Sequence, residues 1–334
     1  MIITRTPFRV SFFGGGTDYP VWYEENGGAV LSATINKYCY INCRFLPPFF
    51  DFKYRIRYTT REEIQSPSEI KHPSVRECIK YFGVDHGIEM VHTSDLPAQS
   101  GLGSSSSFTV GFLNALYALT GKMISKRQLA QGAIHIEQEM IKENVGSQDQ
   151  VAAAFGGFNK ISFRHNGAGE FNVEPVTISQ DKLIIFQRHL MLFFTGFSRN
   201  ASDIAGEQIK RTPEKKVELR TMMELVDVAI STLNDKKDSL DDFGRLLHEQ
   251  WMIKRSMTSL ISNPHIDEIY EAGRRAGALG GKLLGAGGGG FMLFFVKPEH
   301  RGRVKEALKN ILFVPFSFEF TGSQVVYFVP QEKF

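Results

Sequence analysis

The start of the chain alternates apolar and polar positions with the period of β-strands. Alternation over residues 1–45, interrupted by glycine turns at 14–16 and 27–28, predicts a β-rich beginning. A helical pattern follows at 74–82, and an apolar stretch at 88–93 predicts another strand. We therefore expect a sheet that begins at the first residues of the chain.

Helical periodicity dominates the next part of the chain. Apolar positions recur at helical spacing over 104–120 and over 126–143, and Ser125 is placed to cap the second helix. A short apolar helix at 151–155 and a strand at 158–163 are expected after them. These helices can cover one face of the first sheet.

The pattern changes after about residue 183, where an apolar strand leads into a long helical region. We place a domain boundary near 187, which gives an N-terminal domain over 1–187 and a C-terminal domain over 188–334. The fold class expected is an α+β sandwich of two domains. The elements expected in the second domain are a strand at 190–195, helices at about 200–210, 214–234, 239–260 and 264–277, a strand at 291–296, a helix at 298–309, and strands around 314–320 and 324–329.

Composition and charge narrow the class of protein. The 334 residues are 42% hydrophobic and 22% charged, which is typical of a soluble globular protein long enough for two domains. The net charge of +3 is not concentrated in a basic run, so we expect no nucleic-acid partner, and small anions stay candidate ligands. No stretch is apolar enough to span a membrane. Three cysteines without metal-ligand spacing and no leader pattern predict a cytoplasmic location.

A loop rich in glycine and serine, LPAQSGLGSSSSFT at 96–109, carries the most specific signal. Its glycines allow a ligand to approach the backbone, and its serines begin a helix whose first N–H groups have no partner within the helix. Such a helix start favours the binding of an anion, above all a phosphate. The alternative is a helix capped by Ser104 that binds no ligand. The loop is not a Walker A loop, because no Gly-Lys-Ser/Thr follows the glycines.

The segment PFRVSFFGGGTDYP at 7–20 places a strand before a glycine loop. Arg9 lies in the strand, and the loop presents Thr17 and Asp18. A carboxylate that accepts two hydrogen bonds is suited to polyhydroxy compounds. The alternative is a glycine turn with an exposed Asp18, although three consecutive glycines weaken a fold unless something must approach the backbone.

Two acidic residues follow the serine-rich helix. Glu137 lies within the helix expected at 126–143, and Asp149 begins the next short helix. Magnesium is commonly held by one or two carboxylates together with phosphate oxygens and water, so Glu137 is a candidate ligand and Asp149 a candidate base. Glu139 and Glu143 on the same helix compete with Glu137. A solvated acid near a helix end is the alternative for each residue.

A second glycine run, GGKLLGAGGGGF, occupies 280–291. Residues 285–290 satisfy the pattern GxGxxG, but an apolar strand follows where a dinucleotide fingerprint needs a helix. We therefore expect no dinucleotide. A flexible glycine hairpin that packs over a ligand or against the loop at 96–109 is the preferred interpretation, and a purely structural turn is the alternative.

Together these motifs resemble the signature set of the GHMP kinase superfamily, named for galactokinase, homoserine kinase, mevalonate kinase and phosphomevalonate kinase. A P-x-R-V strand, a P-x-x-x-G-L-G-S-S loop and a G-A-G-G-G loop occur in that order across nearly the whole chain. The resemblance implies the two-domain GHMP kinase fold. Its N-terminal domain is similar to ribosomal protein S5 domain 2, and its C-terminal domain is a ferredoxin-like sandwich.

The resemblance also implies roles for single residues, with ATP and Mg²⁺ as cofactors. Asp149 matches the catalytic base, and Arg9 falls where galactokinases carry a basic residue beside the transferred phosphoryl group. Ser105 and Glu137 match the magnesium ligands, but the interval from Glu137 to Asp149 is slightly longer than in mevalonate kinase, which keeps Glu139 open. The residues expected to wrap the ATP phosphates are Pro97, Ser100, Gly101, Leu102, Gly103, Ser104, Ser105 and Ser106.

The glycine turn bears on the substrate. Asp18 matches the sugar-binding aspartate in the Gly-Glu-His-Thr-Asp-Tyr segment of galactokinases, but residues 14–19 here lack the glutamate and histidine, which disfavours galactose. The segment resembles that of sugar 1-kinases for heptose 7-phosphate and fucose. The implied function is ATP-dependent phosphorylation of an anomeric hydroxyl, with D-glycero-D-manno-heptose 7-phosphate as the expected substrate and fucose as the alternative. A non-catalytic sugar-binding homologue and a decarboxylase of the diphosphomevalonate type are the rival classes.

A sugar that already bears a phosphate needs a second anion site. Lys37 and Arg199 are candidates, Arg44 and Arg188 compete with them, and an ordinary surface cation is the alternative for each. The expected partners are ATP and a small sugar phosphate, with no nucleic acid and no membrane, and a homodimer is left open. The residues expected to contact the substrate are Gly15, Gly16, Thr17, Asp18, Lys37, Arg199, Gly287 and Gly288.

Overall fold

The structure, a computed structural model, describes residues 1–98, 100–164, 170–196, 201–235 and 239–330. Its strands are β1 Ile2–Phe13, β2 Gly28–Phe45, β3 Tyr54–Arg57, β4 Arg61–Ile64, β5 Ile88–Ser94, β6 Phe158–Phe163, β7 Phe171–Pro175, β8 Leu190–Gly196, β9 Ala278–Leu283, β10 Gly290–Val296, β11 Leu312–Val314 and β12 Gln324–Phe328. Its helices are α1 Pro20–Asn26, α2 Pro73–Phe82, α3 Ser104–Leu119, α4 Lys126–His135, α5 Gln148–Phe155, α6 Gln180–His189, α7 Ala201–Arg211, α8 Lys216–Asn234, α9 Asp241–Met257, α10 Pro264–Arg275 and α11 Arg301–Ala307.

The strands of the described residues form two sheets. Eight strands make the first sheet, in the order β12-β1-β2-β5-β3-β4, with β6 paired to β2 and β7 paired to β6. The second sheet is antiparallel, in the order β11-β8-β10-β9. Because β12 pairs with β1, the end of the chain returns to the first sheet. The boundary at 187/188 stays a prediction.

Strand β1 lies between the two halves of the molecule. Helix α3 packs on β1 and β2, while α8 and α9 also contact β1. The Phe12 ring of β1 makes edge-to-face contacts with Phe158, Phe186, Phe243 and Phe318 at 5.7–6.2 Å between centroids. Such aromatic pairs contribute about 0.5–1.5 kcal/mol each beyond the burial of their area. This cluster fixes β1, and with it Arg9, against β6, α6 and α9.

The expected α+β class is confirmed, and several element boundaries differ. The helix expected at 126–143 is interrupted, since α4 ends at His135 and Ile136–Met140 form one π turn. The strand expected at 314–320 is wrong: β11 ends at Val314, and Pro315, which has no N–H to donate, follows it. The short helices α1 and α6 were not foreseen. Among the described residues, no helix has the length and apolar character needed to cross a membrane.

Candidate active site

An ion pair between β1 and α5 joins two of the sequence motifs. Arg9 Nε donates to Asp149 Oδ1 and Arg9 Nη2 donates to Asp149 Oδ2, both at 2.7 Å. The remaining Arg9 nitrogen, Nη1, donates to the carbonyl oxygen of Gly101 at 2.7 Å. A bidentate arginine–carboxylate pair fixes orientation as well as distance. Arg9 therefore holds Asp149 in one position beside the glycine-serine loop.

The ion pair lines a cavity of about 380 Å³. Three motifs that are distant in sequence meet in its wall: the glycine turn, the glycine-serine loop and the segment around Asp149. Helix α7 and the C-terminal glycine run complete it. Its lining includes Arg9, Ser11, Gly15, Gly16, Asp18, Gly101, Gly103, Ser104, Ser105, Ser106, Glu143, Gly146, Gln148, Asp149, Asp203, Gln208, Lys254, Lys282, Gly285 and Ala286.

The glycine-serine loop delivers the start of helix α3 to this cavity. Gly103, the residue before the helix, has the left-handed conformation with φ 75°, and a Cβ there would lie 3.2 Å from Asp149 Oδ2. A glycine is therefore needed for the loop to approach the carboxylate. The first N–H groups of α3 and the positive end of its dipole are placed beside the cavity, which suits an anion.

Part of the predicted phosphate loop points elsewhere. Pro97, Ser100 and Leu102 are not in the cavity lining. The hydroxyl of the fully buried Ser100 donates to the Pro97 carbonyl oxygen at 2.8 Å, and the Leu102 side chain lies in the hydrophobic core. These residues shape the loop, whereas Gly101 and residues 103–106 face the cavity.

The glycine turn brings Asp18 into the cavity wall. Its Oδ1 accepts the Gly16 N–H at 2.9 Å and its Oδ2 accepts the Gln148 N–H at 3.3 Å. Asp18 is 2% exposed, and this burial raises its pKa despite the two hydrogen bonds. Thr17 does not face the cavity: its hydroxyl lies within hydrogen-bond distance of the Gly14 and Ala29 carbonyls and closes the turn.

Of the glutamates after α4, Glu137 faces inward, because it continues the buried side of that helix through Ala130 and Ala133. Glu137 is fully buried, and its Oε2 accepts a hydrogen bond from Ser106 Oγ at 2.8 Å. Its Oε1 has no hydrogen-bond partner among the described residues. Burial raises the pKa of Glu137 to about 7. Glu139 is exposed and Glu143 lines the cavity, so the inward acid behind the serines is Glu137 and Glu143 is a second acid at the rim.

The residues implied as magnesium ligands fit a hard cation in part. The unpartnered Glu137 oxygen is a ligand of the right chemistry, but the serine that contacts this carboxylate is Ser106, while Ser105 is exposed at the cavity. Among the described residues no cluster of three or more His, Cys, Asp or Glu side chains could hold a metal ion. Any magnesium here depends on phosphate oxygens for further ligands.

The C-terminal glycine run packs against the phosphate loop, as one interpretation expected. A Cβ on Gly285 would lie 2.4 Å from the Gly101 Cα. Gly287 and Gly288 were expected to contact substrate, but they pack against Ile261: a Cβ on Gly287 would lie 2.7 Å from its Cα, and Gly288 N donates to its carbonyl oxygen at 2.9 Å. The residues of this run that line the cavity are Lys282, Gly285 and Ala286.

The predicted cations for a second phosphate do not lie in the cavity wall. Lys37 is on β2 and is absent from the lining, and Arg188 is exposed. Arg44 pairs with Glu89 at 2.6 Å. Arg199 lies outside the described residues. Of these predicted cations, none that the structure describes lines the cavity.

Two cationic residues of the cavity wall were missed by the sequence reasoning, Lys254 on α9 and Lys282 on β9. A signal for Lys254 existed, because it continues the buried stripe of α9 through Phe243, Leu247 and Trp251 at helical spacing. A lysine on the apolar face of a helix is rarely buried without a reason. Lys282 gave a weaker signal, as the charged residue in an otherwise buried strand.

Comparisons with known proteins agree with this arrangement. Residues 71–157 match the family model of the GHMP kinases N terminal domain, and residues 229–313 match GHMP kinases C terminal. The chain is 32% identical over 340 residues to the D-glycero-alpha-D-manno-heptose 7-phosphate kinase of Campylobacter jejuni subsp. jejuni serotype O:2, covering 97% of this chain and 98% of that protein.

Solved structures share the fold. A putative sugar kinase from Campylobacter jejuni superposes with a TM-score of 0.67 at 26% identity, with 97% of each chain covered. A D-glycero-D-manno-heptose 1-phosphate kinase from Bacteroides thetaiotaomicron superposes with a TM-score of 0.72 at 24% identity, covering 98% of this chain and all of that one. The two-domain GHMP kinase fold is therefore confirmed.

The chain belongs to the GHMP kinase family. It is an enzyme, a phosphotransferase of the sugar-kinase type, as the resemblance implied. Kinases of this family use ATP as phosphate donor, and the amide-rich start of α3 is a site suited to its phosphates.

Proposed function

We propose that this chain transfers the γ-phosphoryl group of ATP to the anomeric hydroxyl of D-glycero-D-manno-heptose 7-phosphate, which yields the 1,7-bisphosphate. The observation that carries the proposal is the position of Asp149. Its carboxylate is fixed by Arg9, lies against the glycine-serine loop, and shares one cavity with the Asp18 turn. The heptose is favoured because the relative matched over nearly the whole chain is named for heptose 7-phosphate.

In the proposed reaction, Asp149 accepts the proton of the anomeric hydroxyl as that oxygen attacks the γ-phosphorus. Arg9 keeps the carboxylate aimed at the hydroxyl and places positive charge beside the phosphoryl group in transfer. Asp18 positions the sugar by accepting hydrogen bonds from its hydroxyls. Because phosphoryl transfer proceeds through a loose transition state, most of the acceleration comes from positioning and electrostatic stabilisation.

Magnesium is part of the proposal. Glu137 and a serine hydroxyl, from Ser105 or Ser106, would hold the ion, which neutralises negative charge on the ATP phosphates. The test is thermal unfolding with MgATP: Mg²⁺ should raise the Tm of the ATP-bound wild type and have little effect on Glu137→Gln. An equal increase in both proteins would remove Glu137 from the metal site. The cytoplasmic location and a homodimer stay predictions.

The substrate test is a coupled assay for ADP release with ATP and Mg²⁺. Heptose 7-phosphate, the same heptose without phosphate, mannose and fucose are compared at equal concentration, and ³¹P NMR locates the new phosphate on the product. We expect the highest kcat/KM with heptose 7-phosphate and a phosphate at C1. A higher kcat/KM with fucose would show that fucose is the substrate. If no sugar gives ADP release above the Asp149→Asn background, the proposed sugar kinase activity is rejected.

A further inference from the structure

Two lysines enter the cavity from the C-terminal half of the chain. Lys254 is 5% exposed and Lys282 is 2% exposed. Lys254 Nζ donates to the Gly285 carbonyl and, at 3.5 Å, to that of Leu283, while Lys282 Nζ donates to the Phe12 carbonyl at 2.9 Å. An ammonium group has three N–H donors, so among the described residues one donor of Lys254 (three minus two) and two of Lys282 (three minus one) have no protein acceptor.

The two carboxylates whose charges act on Lys254, those of Asp149 and Asp18, already accept other hydrogen bonds. Asp149 accepts hydrogen bonds from two nitrogens of the Arg9 guanidinium, and Asp18 accepts hydrogen bonds from two backbone N–H groups. Burial lowers the pKa of Lys254 to about 8, and repulsion from Arg9 adds to this effect. Burial and the neighbouring Lys254 also lower the pKa of Lys282. Two buried amines without a carboxylate of their own are costly, and an anion bound between them would offset that cost.

The two lysines lie between the nucleotide loop and the sugar turn. Lys254 contacts Gly285, which packs directly on Gly101 of the glycine-serine loop. Lys282 contacts Phe12, which lies on β1 between Arg9 and the glycine turn. Their donors therefore face the region in which a transferred phosphoryl group and a bound sugar would meet.

We propose that Lys254 and Lys282 form a phosphate-binding subsite on the C-terminal wall of the cavity. The chemistry is that of a phosphate dianion held by two ammonium groups. The source of the phosphate rests on the proposed function: it is either the γ-phosphoryl group in transfer or the phosphate that the sugar carries. In the second case the subsite is the second anion site that a phosphorylated sugar needs.

Binding of inorganic phosphate to the ADP-saturated protein tests the subsite, because ADP fills the glycine-serine loop. Lys254→Met and Lys282→Met keep the aliphatic stem and remove the charge. Isothermal titration calorimetry should show that each variant binds phosphate at least about tenfold more weakly than the wild type. Lys297→Met is the matched control, since Lys297 pairs with Asp241 outside the cavity lining. Phosphate affinity within about twofold of wild type in both variants would overturn the subsite.

A second measurement needs no variant. Amines of lowered pKa react readily with acylating reagents, so acetic anhydride at pH 8 should label Lys254 and Lys282 of the wild type, as read by peptide mass spectrometry. Inorganic phosphate should slow labelling of these two lysines and leave Lys297 unchanged. Labelling of Lys254 and Lys282 that is independent of phosphate would contradict the proposal even if the methionine variants failed to fold.

Steady-state kinetics then separate the two sources. If Lys254→Met and Lys282→Met lose kcat/KM with heptose 7-phosphate alone, the subsite binds the phosphate of the sugar. If they lose it equally with the free heptose, the subsite binds the transferred group. Lost activity with unchanged phosphate affinity indicates a structural role and rejects the subsite. If the wild type releases no ADP with any sugar, the proposed function fails, but phosphate binding and labelling still decide the subsite.

Discussion

Gly146 lies against the carboxylate of Asp18: a Cβ added to Gly146 would stand 1.9 Å from Asp18 Oδ2. This glycine has no positive φ, so the requirement is space alone. We expect Gly146→Ala to displace Asp18 and raise the KM for the sugar about tenfold, with little change in the KM for ATP. Gly302→Ala on α11 is the control, since a Cβ there meets nothing within 4 Å. An unchanged sugar KM would mean that Asp18 does not bind the substrate.

Asp149→Asn removes the proposed base and keeps the size of the side chain. We expect kcat to fall by about 10²- to 10⁴-fold, because an amide cannot accept the hydroxyl proton. Nucleotide affinity, measured by calorimetry, should stay close to that of the wild type. Asp227→Asn, which alters a surface ion pair with Lys160, should leave kcat unchanged. A kcat for Asp149→Asn equal to wild type excludes Asp149 as the base.

Arg9→Lys retains the positive charge and removes the planar guanidinium group that binds both oxygens of Asp149. A lysine cannot bind both oxygens of Asp149 and the Gly101 carbonyl at once, so the carboxylate loses its fixed orientation. We expect kcat to fall by roughly 10- to 100-fold, with a smaller change in KM. The matched control is Arg44→Lys, at the ion pair with Glu89. Equal effects of the two substitutions on kcat would show that charge alone suffices at position 9.

Glu137 gives a pH dependence of stability. Its pKa is raised from 4.5 to about 7 by burial, so between these values the folded state binds more protons than the unfolded state. The free energy of unfolding should therefore decrease as pH rises from 4.5 towards 7, by roughly 2–3 kcal/mol from this residue, and then level off.

Urea unfolding at pH 5 and pH 8 without magnesium measures this effect. Glu137→Gln should remove most of the decrease, because glutamine does not titrate. Glu139→Gln, on the same turn but exposed, should leave the decrease in place. Parallel profiles for wild type and Glu137→Gln would show that Glu137 has an ordinary pKa.

Local patterns were sufficient for the β-rich start, the helix after the serines and the three glycine motifs. The π turn was not visible in the pattern, because an interrupted helix keeps the same apolar residues. The buried side of α4 continues to Glu137 and leaves Glu139 exposed. The slightly long interval to Asp149 was the one trace of the π turn in the sequence.

Among the site residues, those in local motifs could be predicted from the sequence, and those placed by tertiary packing could not. Arg9, Asp18 and Asp149 sit in motifs whose chemistry is readable locally, and all three line one cavity. The sequence could not place Lys254 and Lys282 in the site. Their positions depend on tertiary packing, which brings α9 against the glycine run and β9 against β1. The motifs led us to expect substrate contacts from Thr17, Gly287 and Gly288, but these residues stabilise the local turns or pack against neighbouring backbone.

The pairing of β12 with β1 has a consequence for biosynthesis. Met1 and Val329 bond through their main chains, with Met1 N donating to Val329 O at 2.9 Å and Val329 N donating back at 3.0 Å. During synthesis, the edge of β1 that pairs with β12 therefore stays unpaired until residues 324–328 have left the ribosome.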